Sequence, residues 1–279
     1  MYQAMIDQPL WKSRQELEEE KRFPVEILPT LESLWDHFAR DCANLIAARN
    51  REGRKTVVIL PVGPFDYKRL AAICNEERIS LRHVVTVNMD EFCDAQGTEI
   101  PCDHPLSFHR YMDRELFERL NADLRIDPKN KVFPDAGDPA STTTRIQEEG
   151  GIDVCYGGIG IDGHFAFNMP ETVDVDRFAS LPTRVVTLTP ESRTQTALGC
   201  TSGDIALVPP KAVTLGMKEI LAAREVRVYL MRPWQSSVMR RCLYGPVTAS
   251  YPASLLQRHP RLKVVMATYV ADQPKIGPG

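Results

Sequence analysis

Cys155-Tyr156-Gly157-Gly158-Ile159-Gly160-Ile161-Asp162-Gly163-His164-Phe165-Ala166-Phe167-Asn168-Met169-Pro170 is the stretch on which the reading of this chain turns. Ahead of it, Gly151 to Tyr156 reads as a short buried strand, and Gly157, Gly158 and Gly160 then strip the backbone of side chains. A bare backbone just past a strand's carboxyl end is where an α/β sheet receives ligands, because N–H groups there face outward unshielded. The segment next presents Asp162 and His164, a hydrogen-bond acceptor two residues from the side chain best able to carry a proton near neutral pH. Taken alone, the same residues also read as a turn with a hydrogen-bonded core histidine.

On either side of this stretch, strands and helices alternate. Thr56-Val57-Val58-Ile59-Leu60 is continuously apolar and β-branched, as a strand covered on both faces should be. Further strands are expected at His83–Asn88, Lys131–Phe133, Arg184–Thr189, Val226–Met231 and Leu262–Tyr269. Leu31, Leu34, Trp35, Phe38, Cys42, Leu45 and Ile46 recur at helical spacing, and Tyr67–Arg78 and Met217–Glu225 also read as helices. The pattern predicts an α/β fold: a mainly parallel, Rossmann-like sheet with helices on both faces, forming a single domain over residues 31–279. Residues 1–30 are expected to be an N-terminal arm, because the run SRQELEEEKR has little apolar face and predicts a solvated segment.

A chain of 279 residues that is 43% hydrophobic and 25% charged can bury a sizeable core. Its formal net charge of −3 supplies no overall basic field, so no nucleic-acid partner is expected. Seven cysteines without a CxxC pair fit reduced thiols in a reducing compartment. No apolar run approaches the roughly 20 residues of a membrane span and the N-terminus lacks a secretory pattern, so no membrane association is expected and the location is read as cytoplasmic. A homo-oligomer is left open. No histidine or cysteine spacing typical of a metal site occurs, and no metal or cofactor is expected.

Several polar residues fall at the carboxyl ends of the expected strands. Gly63 sits in the Pro61-Val62-Gly63-Pro64-Phe65-Asp66 turn before a helix, a place suited to an anion, although Pro64 has no N–H to donate. Asp90 and Glu91 follow the strand ending at Asn88, and Arg232 follows the strand ending at Met231. Each also reads as an ordinary turn or surface charge.

Together, CYGGIGIDGHFAFNMP and His83-Val84-Val85-Thr86-Val87-Asn88-Met89-Asp90-Glu91-Phe92 resemble the two signatures of the glucosamine-6-phosphate deaminase/isomerase family, within the 6-phosphogluconolactonase-like superfamily. With gaps, the resemblance runs from about residue 35 to about residue 270, and the chain reads as a divergent member. It implies an enzyme that takes a small-molecule sugar or sugar phosphate, converting glucosamine 6-phosphate to fructose 6-phosphate plus ammonia or acting on a related aldose. It also implies Asp90 as the base that moves a proton from C2 to C1, and Asp162 with His164 as the ring-opening pair. Gly63, Glu91, Gly158, Gly160 and Arg232 are the expected substrate contacts, with N–H groups around Gly158 and Gly160 facing developing oxyanion charge. Three positions depart from the family pattern: Met169 stands where the family has a glutamate, and Leu198 and Gln235 stand where it has an arginine and a lysine for the phosphate. Glu171 is the nearest replacement acid, and Arg193, Lys211 and Arg232 are the replacement cations. Two alternatives follow from these departures, a sugar-lactone hydrolase of the 6-phosphogluconolactonase type and a non-catalytic sugar-binding regulator.

Overall fold

The computed structural model describes residues 8–63 and 65–275. Its strands are β1 (Val25–Leu28), β2 (Thr56–Leu60), β3 (Val84–Asn88), β4 (Asp90–Cys93), β5 (Lys131–Val132), β6 (Val154–Gly157), β7 (Arg184–Thr187), β8 (Lys211–Thr214), β9 (Glu225–Leu230) and β10 (Leu262–Ala267). The helices are α1 (Arg14–Glu18), α2 (Leu31–Arg51), α3 (Tyr67–Glu76), α4 (Phe108–Met112), α5 (Pro139–Glu148), α6 (Val175–Ala179), α7 (Pro190–Cys200), α8 (Met217–Leu221), α9 (Gln235–Tyr244) and α10 (Thr268–Ala271).

Seven strands form one parallel sheet in the order β1-β10-β9-β6-β2-β3-β5. β2 and β3 are buried at every position, so the sheet is covered on both faces as their unbroken apolar runs require. From β2 the chain builds outward through β3 to β5. It then returns to place β6 on the other side of β2 and builds outward again through β9 and β10. The reversal opens a crevice at the carboxyl ends of β2 and β6, the topological position where such sheets take ligands. Gly63, Asp90, the segment from Gly158 to His164, and Arg232 all follow strands whose carboxyl ends share this edge.

Local chemistry sets the element ends. Thr30 accepts the Ser33 N–H at 3.1 Å and starts α2, while Gly53, at a φ of +64°, lets the chain turn after it. One face of α2 packs Leu34, Phe38, Cys42 and Ile46 into the core, the positions its periodicity marks. Asp66 caps α3 by accepting the Lys68 N–H at 3.1 Å. Pro64, whose missing N–H bore on the expected anion turn, lies outside the described residues.

A second sheet, antiparallel and three-stranded in the order β4-β8-β7, takes the expected strand at Arg184–Thr189 as its β7, while β4 and β8 have no counterpart among the expected strands. Met89 is the pivot between the sheets: its N–H reaches Leu60 O at 3.1 Å and its carbonyl accepts the Leu215 N–H at 2.9 Å. Phe92, Phe167, Met169, Leu188 and Val208 fill a separate small core beneath this sheet.

The N-terminal arm, expected to be solvated through residue 30, is corrected. Val25–Leu28 form β1 and pair in parallel with Val264–Ala267 of β10. Leu17 is fully buried, and the buried Arg240 donates to Lys12 O at 3.0 and 2.9 Å, tying the segment to α9. The sequence hid this because one buried leucine among charges leaves no periodicity, and a four-residue edge strand carries little pattern.

Candidate active site

Steric economy organises the loop after β6. A Cβ on Gly157 would lie 2.2 Å from the Phe165 ring, and one on Gly160 would lie 2.1 Å from the His164 ring. The two glycines therefore serve to seat Phe165 and His164. Gly160 also donates its N–H to His164 O at 2.9 Å, and Gly163, at a φ of +86°, donates to Gly160 O at 3.0 Å, closing the loop on itself. This corrects the expected role of Gly160: its N–H is already used and does not face an oxyanion. Gly158 packs against the backbone, with the Tyr229 carbonyl 3.3 Å from where its Cβ would be.

His164 and Asp162 form a direct pair, with Nδ1 2.6 Å from Asp162 Oδ1. The same oxygen accepts the His164 backbone N–H at 3.2 Å, and the other, Oδ2, accepts the Thr189 hydroxyl at 2.6 Å. Burial works to raise the Asp162 pKa, but the His164 and Thr189 hydrogen bonds outweigh it and hold the carboxyl at about 2. With the carboxylate ionised, Nδ1 keeps its proton and the lone pair of a neutral ring falls on Nε2, which has no protein partner among the described residues.

Asp90 reaches the same region from the small sheet. It stands directly opposite Thr214 in the β4–β8 ladder, so the two side chains share one face. Thr214 Oγ1 accepts the Phe167 N–H at 3.0 Å, and the Phe167 ring centroid is 6.0 Å from that of His164. Asp90 is 6% exposed, and its carboxylate accepts no hydrogen bond among the described residues. Burial first, and the neighbouring Glu91 charge second, push its pKa well above the ordinary aspartate value. A carboxyl in that condition is poised to exchange a proton, whereas Asp162 is held charged.

The remaining expected contacts divide. Glu91 is corrected: its buried carboxylate accepts the Ser107 hydroxyl and the N–H groups of Phe92, Phe108 and His109 at 2.7 to 3.0 Å, so it anchors the start of α4. Gly63 adopts a φ of +53°, and a Cβ added there would meet nothing within 4 Å, so the turn borders open space. Arg232 is exposed and makes no ion pair among the described residues. Arg193 is spent on the carbonyls of Ile205 and Val208, both at 2.9 Å. Glu171 faces Arg184 at 3.8 Å, and no contact joins it to His164 among the described residues. Thr189 escaped the sequence reading because it sits 25 residues from His164 in an ordinary helix-start pattern; Thr-Pro-Glu-Ser was its only signal.

No family model matches the chain. A glucosamine-6-phosphate deaminase of Porphyromonas gingivalis (strain ATCC BAA-308 / W83) is 31% identical over 260 residues, spanning 88% of this chain and 94% of that protein. The chain belongs to the glucosamine-6-phosphate deaminase family. A solved monomeric glucosamine-6-phosphate deaminase superposes with a TM-score of 0.76 at 26% identity, covering 89% of this chain and 99% of that one. The 6-phosphogluconolactonase of Thermotoga maritima, with a TM-score of 0.61 at 15% identity over 88% of this chain and 100% of its own, shares the fold. Among the positions where this deaminase-family chain departs from the pattern, Met169 is buried in the small core with its sulfur 3.6 Å from Thr189 Oγ1. Leu198 is 73% exposed on α7. Gln235 is buried and bridges two segments: its Oε1 accepts the N–H groups of Met231 and Arg232 at 2.7 and 2.8 Å, and its Nε2 donates to Ile159 O at 2.8 Å.

Proposed function

We propose that this chain is an amino-sugar deaminase/isomerase that opens the ring of glucosamine 6-phosphate or a related aldose and moves the C2 proton to C1. The observation that carries this reading is the pair of acids in opposite condition on one sheet edge: Asp162 ionised and bonded to His164, Asp90 buried and hard to ionise. His164 Nε2 takes the proton of the anomeric hydroxyl and returns it to the ring oxygen as the C1–O bond to the ring breaks. Asp162 stabilises the imidazolium formed between the two transfers. Asp90, ionised in the reacting complex, removes the proton on C2; that electron pair forms the C1–C2 double bond, the aldehyde π pair moves to O1, and O1 takes a proton from the C2 ammonium to give the enol bearing the amino group. The proton is delivered to C1, leaving an imine at C2, and water replaces nitrogen there to give the ketose and ammonia. Arg232, exposed and without an ion pair among the described residues, offers a cation at the same edge for the sugar's anionic end.

Met169 supports a second reading, sugar-lactone hydrolysis, because a thioether carries no proton while the His164–Asp162 pair alone suffices to activate water. Ammonia release from glucosamine 6-phosphate tests the first reading, with an Asp90→Asn variant as control. The deaminase predicts release that the substitution abolishes. Acid production from 6-phosphogluconolactone, insensitive to Asp90→Asn and lost in His164→Ala, supports the hydrolase. Calorimetric sugar binding without either product identifies a non-catalytic binder and overturns both.

A further inference from the structure

We propose that Thr189 is a positioning residue for the Asp162–His164 pair, locking the carboxylate so that the imidazole presents one tautomer in one orientation. What the pair does rests on the reaction proposed above; what Thr189 does rests on geometry alone.

Thr189 Oγ1 lies 2.6 Å from Asp162 Oδ2, and His164 Nδ1 lies 2.6 Å from Asp162 Oδ1. An ionised carboxylate has no proton to give, so the threonine hydroxyl donates and its direction is fixed. Its lone pairs then remain for the Ser192 N–H, which it accepts at 3.1 Å as the N-cap of the eleven-residue α7. Met169 Sδ, 3.6 Å from the same oxygen, is a neutral and weak acceptor and does not compete with a carboxylate for the single hydrogen. A carboxylate held at one oxygen is free to rotate about its Cβ–Cγ bond. Asp162 is held at both, from His164 on one side and from α7 on the other, so its plane is set by a helix rather than by the loop that carries it. His164 inherits that constraint through Nδ1, with Gly160 beneath its ring. A valine would fill the same volume at residue 189; the hydroxyl is what the geometry uses.

Helix capping alone would also account for a threonine here, and the variants separate the two roles. Thr189→Val removes the hydroxyl and the cap. Thr189→Gly removes the hydroxyl but leaves a residue that helix starts tolerate well. Thr189→Ser keeps both. The readouts are the carboxyl carbon-13 titration of Asp162, the nitrogen-15 tautomer signature of the His164 ring, and the melting temperature of the full chain. Positioning predicts that Val and Gly alike raise the Asp162 midpoint by about one pH unit and mix the His164 tautomers, while Ser behaves as wild type. It also predicts that kcat falls by about 10-fold with little change in KM, since the pair acts on the reacting atoms. Wild-type Asp162 titration and His164 tautomer in both Thr189→Gly and Thr189→Val overturn the proposal. The spectroscopic outcome decides it even if the chain turns over no sugar, so failure here is distinct from failure of the proposed reaction.

Discussion

Replacing Gly160 by alanine tests the site with a single methyl group. Gly160 is not among the residues with positive φ, so alanine meets no backbone penalty and the whole effect falls on what the Cβ touches. That Cβ would lie 2.1 Å from both Cε1 and Nε2 of His164 and 2.4 Å from Nδ1. Carbon atoms in contact settle at roughly 3.5–4.0 Å, so the ring must retreat by more than about 1 Å. Its Nδ1 is bonded to Asp162 at 2.6 Å, and a retreat of that size stretches the bond past useful length. A misplacement of about 1 Å in a proton-transfer group costs about 100-fold in rate. Initial rates of ammonia release from glucosamine 6-phosphate, corrected for folded fraction by thermal melting, measure the loss. Gly63→Ala is the counterpart: its φ of +53° costs about 1 kcal/mol of stability while its Cβ meets nothing within 4 Å. Gly160→Ala should therefore lose activity and, by overpacking, about 1–3 kcal/mol of stability, while Gly63→Ala should lose about 1 kcal/mol of stability and keep most of its activity. A Gly160→Ala enzyme within about threefold of wild type would refute the seating of His164 by that glycine.

The other expected outcomes concern charge and packing. Asp162 has a folded pKa depressed to about 2, so its contribution to stability is complete above its unfolded value and is lost as pH falls through that value toward 2; denaturant titration of wild type against Asp162→Asn should show the difference vanish in acid. Asp90 has the opposite sign, since its raised folded pKa makes the folded chain hold a proton the unfolded chain has released, and Asp90→Asn should melt higher than wild type at neutral pH while losing turnover. Arg240, fully buried, donates to the carbonyls of Lys12, Ser236, Val270 and Ala271, so Arg240→Met should cost about 3 kcal/mol in urea and expose the N-terminal segment to proteolysis. Leu198→Arg, at a position 73% exposed, should fold normally and tighten glucosamine 6-phosphate binding by about 10-fold or more in calorimetry, with no gain for the unphosphorylated sugar.

The large sheet was legible because its strands are buried on both faces and write that fact as unbroken apolar runs, as Thr56 to Leu60 do. β4 was not, because Asp90-Glu91-Phe92-Cys93 follows β3 after a single residue, and only the Met89 hydrogen bonds in space show the chain changing sheets. β1 was lost for the reason that short edge strands usually are: four partly buried residues have too little alternation to register. In the site, Asp162 and His164 were visible as neighbours in a glycine loop, but the uses of those glycines were not. Gly160 is spent on the His164 ring and Glu91 on the start of α4, facts that depend on contacts across the fold rather than on residue type. Thr189 was invisible for the complementary reason, since its capping role is local and its bond to Asp162 is not.

The two aspartates are held in opposite electrostatic condition. Asp162 accepts from His164 and Thr189, and those hydrogen bonds outweigh its burial and keep it charged. Asp90 is more deeply buried and accepts no hydrogen bond among the described residues, and its neighbour in charge, Glu91, repels rather than relieves it. Hydrogen bonds that would lower its pKa go instead to Glu91, whose carboxylate takes four of them. The start of α4 thus offsets part of the burial cost at Glu91, whose pKa still ends above the ordinary glutamate value, and offsets none of it at Asp90. A hydrogen-bond donor or a cation brought close to Asp90 would offset that cost and favour its ionised form.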